Sequence, residues 1–277
     1  MSAHTLTTAK PVTLSSLQAM PAQGEKIACL TAYDASFAAM VDRSGGEVIL
    51  VGDSLGMVVQ GKDTTVPVTV DEMVYHTACV SRVVKTAFVM ADLPFLSYTT
   101  RRDALEASKR LMQEGGAKMV KLEGGALQAE IVKFLTDRGV PVCAHVGLTP
   151  QSVHKLGGFK VQGREAAARA QMLADVDALQ AAGADMLLVE CVPASLGAEV
   201  KQRAHVPVIG IGAGAAVDGQ ILVLTDVLGL AIDEQGKKPR FVRDFMAGAG
   251  SIAEALSRYV QAVNSGEYPA AEHTFGG

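Results

Sequence analysis

Aromatic side chains make up only 5% of this 277-residue chain, so its core must be built from Val, Leu, Ile, Ala and Met, which belong among the 49% of hydrophobic residues. That composition suits the layered aliphatic interior of an α/β barrel. Cysteine is scarce as well. Cys29, Cys79, Cys143 and Cys191 lie far apart with no CxxC pair, which argues against a disulfide frame and for reduced thiols. Basic charge is not in excess: the formal net charge of -4 gives no footprint for nucleic acid or an anionic membrane, though a small anionic ligand remains compatible with it. No uninterrupted apolar run is long enough to span a bilayer, and the opening MSAHTLTTAKPV has no charged segment followed by a long apolar one. A soluble protein of the cytoplasm is the expectation, with 277 residues a normal length for one barrel domain.

What the chain does have is alternation. Short apolar runs at Lys26–Thr31, Glu47–Gly52, Ala87–Asp92, Lys118–Glu123, Pro141–His145, Asp185–Glu190, Pro207–Ile211 and Ile221–Leu224 read as strands. Helical spacing lies between them, as in Ala104, Leu105, Ala107, Leu111 and Met112. Gly115-Gly116, Gly139 and Gly183 fall where helices must stop before the next strand. Eight βα units in one chain predict an α/β fold, a (β/α)8 TIM barrel, in preference to an open doubly wound sheet. The whole of 1–277 then forms a single domain, with 1–13 a candidate arm, Arg240–Val263 one or two extra terminal helices, and 266–277 a weakly structured tail.

Barrel enzymes work at the C-terminal ends of their strands. Here the second strand ends in Asp53 and Ser54, the third in Asp92, the fourth in Lys121 and Glu123, the fifth in His145 and the sixth in Glu190. Any one of these has an ordinary reading as a helix cap or a satisfied structural group. Five consecutive strands carrying ionisable residues to one mouth call for chemistry. Lys121 and Glu123 share a strand face, because side chains repeat every two residues. Asp53, Asp92 and Glu123 offer hard oxygen donors, which suit Mg²⁺, whereas no Cys/His cluster has zinc spacing. The remaining histidines are scattered and read as surface or structural. Gly210-Ile-Gly212-Ala-Gly214 has GxGxG spacing, not that of the dinucleotide turn, and reads as tight turns beside the pocket.

The segments TAYDASFA (31–38), VGDSLGMVVQG (51–61), TVDEMVYHT (69–77), ADLPFLSY (91–98), GGAKMVKLEGG (115–125), AHVGLTPQSVHKLGGFKVQG (144–163), GADMLLVECVP (183–193), PVIGIGAG (207–214) and DGQILVLTDVLG (218–229) closely resemble the ketopantoate hydroxymethyltransferase family across nearly every βα unit. The resemblance implies Mg²⁺, the substrate 3-methyl-2-oxobutanoate, and 5,10-methylenetetrahydrofolate as one-carbon donor. The implied product is ketopantoate, on the route to pantothenate and coenzyme A. It also implies that Asp53 and Asp92 bind the metal with Glu123 at or near it. Ser54 and Lys121, beside the same two aspartates, contact the oxo acid, and Glu190 accepts a proton. His145 lies in the pocket in a role left open. The implied assembly is a homodecamer of two pentameric rings. Glu190 follows Leu187-Leu188-Val189, an apolar setting that suits a carboxylate base.

Two other readings compete. A magnesium-dependent carbon–carbon lyase of the isocitrate lyase type would also use acidic strand ends, but its KKCGH-like loop is absent from the sequence. A nucleotide-binding barrel without catalysis would have no need for the acidic strand ends.

Overall fold

The computed structural model describes residues 10–230 and 238–276. Its strands are β1 (Ile27–Thr31), β2 (Val48–Val51), β3 (Phe88–Asp92), β4 (Met119–Glu123), β5 (Val142–Gly147), β6 (Met186–Glu190), β7 (Val208–Ile211) and β8 (Gly219–Leu222). They pair in parallel in chain order, and β8 returns to β1 to close the barrel. The first seven strands each begin one residue later than the sequence pattern predicts.

The eighth strand is displaced two residues toward the N-terminus of its predicted position. Apolar composition continues unbroken from strand into helix there, so hydrophobicity marks no boundary. The Leu224 N–H donates to Thr31 Oγ1 at 2.9 Å and opens a helical turn instead. Gly219 belongs to the strand because a Cβ there would lie 2.4 Å from the Ile27 carbonyl oxygen.

Around the barrel run α1 (Leu14–Ala19), α2 (Ala35–Ser44), α3 (Leu55–Val58), α4 (Val70–Ser81), α5 (Arg101–Gln113), α6 (Ala129–Thr136), α7 (Val153–Leu156), α8 (Ala166–Ala181), α9 (Ala194–Arg203), α10 (Leu224–Val227) and α11 (Ile252–Asn264). Local sequence explains their starts. Thr69 and Glu72 form a reciprocal capping box on α4, and Thr100 caps α5 just before Arg101-Arg102-Asp103. Gly116, Gly139 and Gly183 take the left-handed conformation expected after helices, with φ of 80°, 78° and 97°.

The N-terminal arm lies mostly outside the described residues, although the Val12 N–H donates to the Thr86 carbonyl at 2.7 Å. Two predictions for the C-terminus need correction. Arg240–Val263 is helical only from Ile252, because Asp244 turns the preceding chain by accepting the Met246 and Ala247 N–H groups. The tail after Gly266 is packed. Tyr268 and His273 are buried, and the Ala194 N–H donates to the Phe275 carbonyl at 3.0 Å. Tyr268, Phe245 and Tyr259 make an aromatic cluster, and the Tyr259 hydroxyl donates to the Cys29 and Gln220 carbonyls. The tail thus supplies apolar contacts that its polar, Gly- and Pro-containing sequence does not advertise.

No helix among the described residues is long and apolar enough to cross a membrane. All four cysteines are free thiols.

Candidate active site

Strand register sets which charged groups meet. Asp92 of β3 sits opposite Lys121 of β4, Glu123 of β4 opposite His145 of β5, and Gly147 of β5 opposite Glu190 of β6. Side-chain contacts follow that order around the mouth. Lys121 Nζ lies 3.1 Å from Asp92 Oδ1 and 4.0 Å from Glu123 Oε1. His145 Nδ1 lies 3.5 Å from Glu123 Oε1, and its Nε2 lies 3.3 Å from Glu190 Oε2. The last is a charge contact and not an aligned hydrogen bond. Asp53, just beyond β2, donates its N–H to Asp92 Oδ2 at 3.0 Å. Ser54 pairs its hydroxyl with Tyr33 at 2.8 Å.

All seven residues singled out in the sequence (Asp53, Ser54, Asp92, Lys121, Glu123, His145 and Glu190) line one cavity of about 580 Å³. Burial divides them. Asp53, Asp92, Lys121, Glu123 and His145 are 1–4% exposed, whereas the Glu190 side chain keeps 16% of its surface open. The last group is therefore the one a substrate entering the cavity reaches most readily.

Electrostatics follow from that burial. Desolvation raises Asp53 well above the usual carboxylate range, and the charges of Asp92 and Glu123 push it further. Desolvation also raises Asp92, outweighing the neighbouring Lys121 ammonium. Burial acts on Glu123 in the same sense, yet His145 and Lys121 overcome it and hold its carboxyl low. Lys121 is raised despite its burial, because three carboxylates surround it. Burial and Lys121 work against the His145 imidazolium, but Glu123 and Glu190 outweigh them and raise it.

Gln151 is a central member of the site to which the sequence analysis gave no role. It is buried just after β5, donates Nε2 to Asp53 Oδ2 at 2.8 Å and to the Leu93 carbonyl at 2.9 Å, and donates its backbone N–H to Glu123 Oε2 at 3.0 Å. Tyr98 donates its hydroxyl to Gln151 Oε1. One residue thus orients two carboxylates, Asp53 through its side-chain amide and Glu123 through its backbone N–H. Its loop position removes it from any strand-alternation argument, so only its inclusion in a family-like segment could have marked it. Asp226, in α10, also lines the cavity and went unnoticed, because a lone Asp in a helical turn reads as solvent-facing.

Local backbone geometry is constrained around Glu190. Cys191 follows it with φ of 48°, a left-handed conformation costly for a residue with a Cβ, and its N–H donates to the Ile211 carbonyl at 2.8 Å. Across from it, a Cβ on Gly147 would stand 2.3 Å from the Glu190 carbonyl oxygen, so only glycine lets β5 and β6 run this close.

The arrangement offers groups that can support removal of a proton from a carbon acid: a reachable carboxylate, an imidazole beside it, a buried ammonium and two buried carboxyls with oxygen donors. In fold, the chain is similar to a phosphonopyruvate hydrolase solved with oxalate and Mg++ (TM-score 0.59, 12% identity, 76% of this chain and 80% of that one). It is likewise similar to 2,3-dimethylmalate lyase, a PEP mutase/isocitrate lyase superfamily member (TM-score 0.56, 17% identity, 76% and 80%). In sequence, it is 62% identical over 270 residues to the 3-methyl-2-oxobutanoate hydroxymethyltransferase of Alkalilimnicola ehrlichii, covering 98% of this chain and 96% of that protein. The protein of the same name from Halorhodospira halophila is 57% identical, with 95% and 94% covered. A sequence model of the family described as Ketopantoate hydroxymethyltransferase matches residues 11–271, and the chain belongs to that family.

Proposed function

We propose that this enzyme transfers a hydroxymethyl group from 5,10-methylenetetrahydrofolate to 3-methyl-2-oxobutanoate in a magnesium-dependent reaction. The product is ketopantoate, for pantothenate and coenzyme A synthesis in the cytoplasm. The observation that carries the reading is that the reachable Glu190 carboxylate lines the same cavity as the buried Asp53, Asp92 and Lys121 group.

The donor set fits a hard divalent cation. Asp92 Oδ1 is buried and receives no aligned hydrogen bond, although Lys121 Nζ is 3.1 Å away. Asp53 and Asp92 both resist ionisation, a state that a bound cation would reverse. Among the described residues no three His, Cys, Asp or Glu side chains are grouped to hold a metal ion between them. Mg²⁺ takes one or two carboxylates and leaves positions to water and substrate. Asp53 and Asp92 would hold it, with Glu123 beside them kept in place by His145 and the Gln151 N–H. When bound, magnesium supplies Lewis acidity to the keto group, generally an effect of several kcal/mol.

The chain's own residues do the remainder. Lys121 and Ser54 face the cavity to receive the carboxylate end of the oxo acid. Glu190 removes the proton from the carbon next to the ketone. His145, 3.3 Å from Glu190, fixes the carboxylate's position during that transfer. One water adds to the donor's methylene carbon and breaks its two C–N bonds, releasing tetrahydrofolate and leaving formaldehyde; the carbanion attacks that carbon, and the oxygen takes up the proton held by Glu190 to become the product's hydroxyl. The apolar walls around Leu148, Val161 and Ile211 limit further water during the step.

Incubation with both substrates is expected to give ketopantoate by mass spectrometry with Mg²⁺ and none with excess chelator. A folded, metal-loaded protein that makes no ketopantoate would overturn the reading. Assembly as a homodecamer belongs to the same proposal; Tyr75, Leu96 and Leu127, between 61% and 89% exposed, are apolar surface available for it. Light scattering should return ten times 28.9 kDa, and a monomer mass would remove the decamer.

A further inference from the structure

The cavity walls are of two kinds. One is the ionisable cluster described above. The other is apolar and includes Val223, Pro239, Phe241 and Phe275. One carboxyl interrupts it. Asp226 is 7% exposed, faces the cavity, and meets no donor or cation among the described residues. Burial, and after it the charge of Glu190, raise this carboxyl to about 7. Burying a carboxyl is costly unless a donor or cation meets it, and the proton-transfer steps above leave Asp226 unused.

The aromatic wall is a fixed feature. Gly212 has φ of 61°, and a Cβ there would press on both rings, 3.0 Å from Phe241 Cδ1 and 3.0 Å from Phe275 Cε2. The two side chains therefore rest on bare backbone. Phe275 is anchored by its carbonyl, which accepts the Ala194 N–H, and by a bridge to Pro193. At the rim, Lys160 and Arg240 are exposed cations.

We propose that this apolar wall of the cavity seats the bicyclic head of the one-carbon donor, with the Asp226 carboxylate accepting the paired N–H groups of its 2-amino-4-oxopyrimidine ring. The assignment rests on the folate reading made under the proposed function. The chemistry matches at three points. A 2-amino-4-oxopyrimidine presents N3–H and the 2-amino group side by side, and a carboxylate accepts such a pair bidentately, as it does from guanidinium. The flat, largely apolar ring system suits the Phe241 and Phe275 walls. The anionic glutamate end of a folate then leaves the cavity past Lys160 and Arg240, where the charges are complementary.

The test uses the full chain loaded with Mg²⁺, with tetrahydrofolate and its analogue lacking the 2-amino group as probes in calorimetric titration. Asp226→Asn should weaken tetrahydrofolate about 10- to 100-fold, the range expected for losing a charge-assisted bidentate contact. Wild-type protein should bind the analogue about tenfold more weakly than tetrahydrofolate, while Asp226→Asn should bind the two within about twofold of each other. A purely structural role for Asp226 would not remove that discrimination. Equal binding of the two probes by the wild type overturns the contact, and this comparison decides the matter even if the variant does not fold. Tetrahydrofolate affinity unchanged in a folded Asp226→Asn overturns it too. If ketopantoate still forms in the wild type, only this assignment falls; if it does not, the folate reading has failed first.

Discussion

Replacing Glu190 by glutamine should lower kcat/KM for ketopantoate formation about a thousandfold, within the range that general-base removal costs. That is roughly 4 kcal/mol of transition-state stabilisation. The expectation rests on placement. Glu190 ends β6, is the most exposed of the strand-end carboxylates, and lines the cavity. Glutamine keeps the shape and one acceptor oxygen, so the oxo acid should still bind. Its affinity, measured by titration with Mg²⁺ present, should change by no more than about twofold, since the groups that hold it lie on other strands. Exchange of the substrate's C3 proton with deuterated solvent gives a second readout, and it should fall in step with turnover. A variant that loses binding and turnover equally would make Glu190 a structural group.

Asp92→Asn should raise the magnesium concentration for half-maximal activity at least about tenfold, because one of the two carboxylates that would hold the cation is lost. Asp53→Asn should move it in the same direction. Metal titration of activity checks both, and unchanged dependence in the pair would dismiss the metal assignment. The effect on folding should be smaller than simple ion-pair accounting gives. Removing one member of a buried pair generally costs about 3–5 kcal/mol. Here Asp92 is itself raised by burial and repels Asp53, so its loss relieves one carboxyl while weakening the hold on Lys121. Thermal melting of the metal-free variant should therefore show a loss below that range.

Much of this could be read along the chain. Hydrophobic runs located the strands, and Gly116, Gly139 and Gly183 marked helix ends through conformational preferences that act within a few residues. The misplaced eighth strand shows the limit of that signal. Leu222, Val223 and Leu224 are equally apolar, and the hydrogen bond from Leu224 to Thr31, far along the chain, helps to separate strand from helix. Gln151 escaped for the same reason: its partner Asp53 is 98 positions away, and nothing local requires a buried amide in that loop. The tail escaped because its packing depends on Tyr259, Phe245 and Pro193 being already in place.

The sequence alone determined that alternating units would carry Asp53, Asp92, Lys121, Glu123, His145 and Glu190 to one end of a barrel, because strand and helix periods are local properties and parallel strands share a direction. Tertiary structure decided which of those groups touch, that Gln151 ties Asp53 to Glu123, and that Asp226 and Phe275 complete the cavity. Those outcomes depend on barrel closure, strand register and loops meeting across long separations, where burial and shape, not local preference, set the contacts.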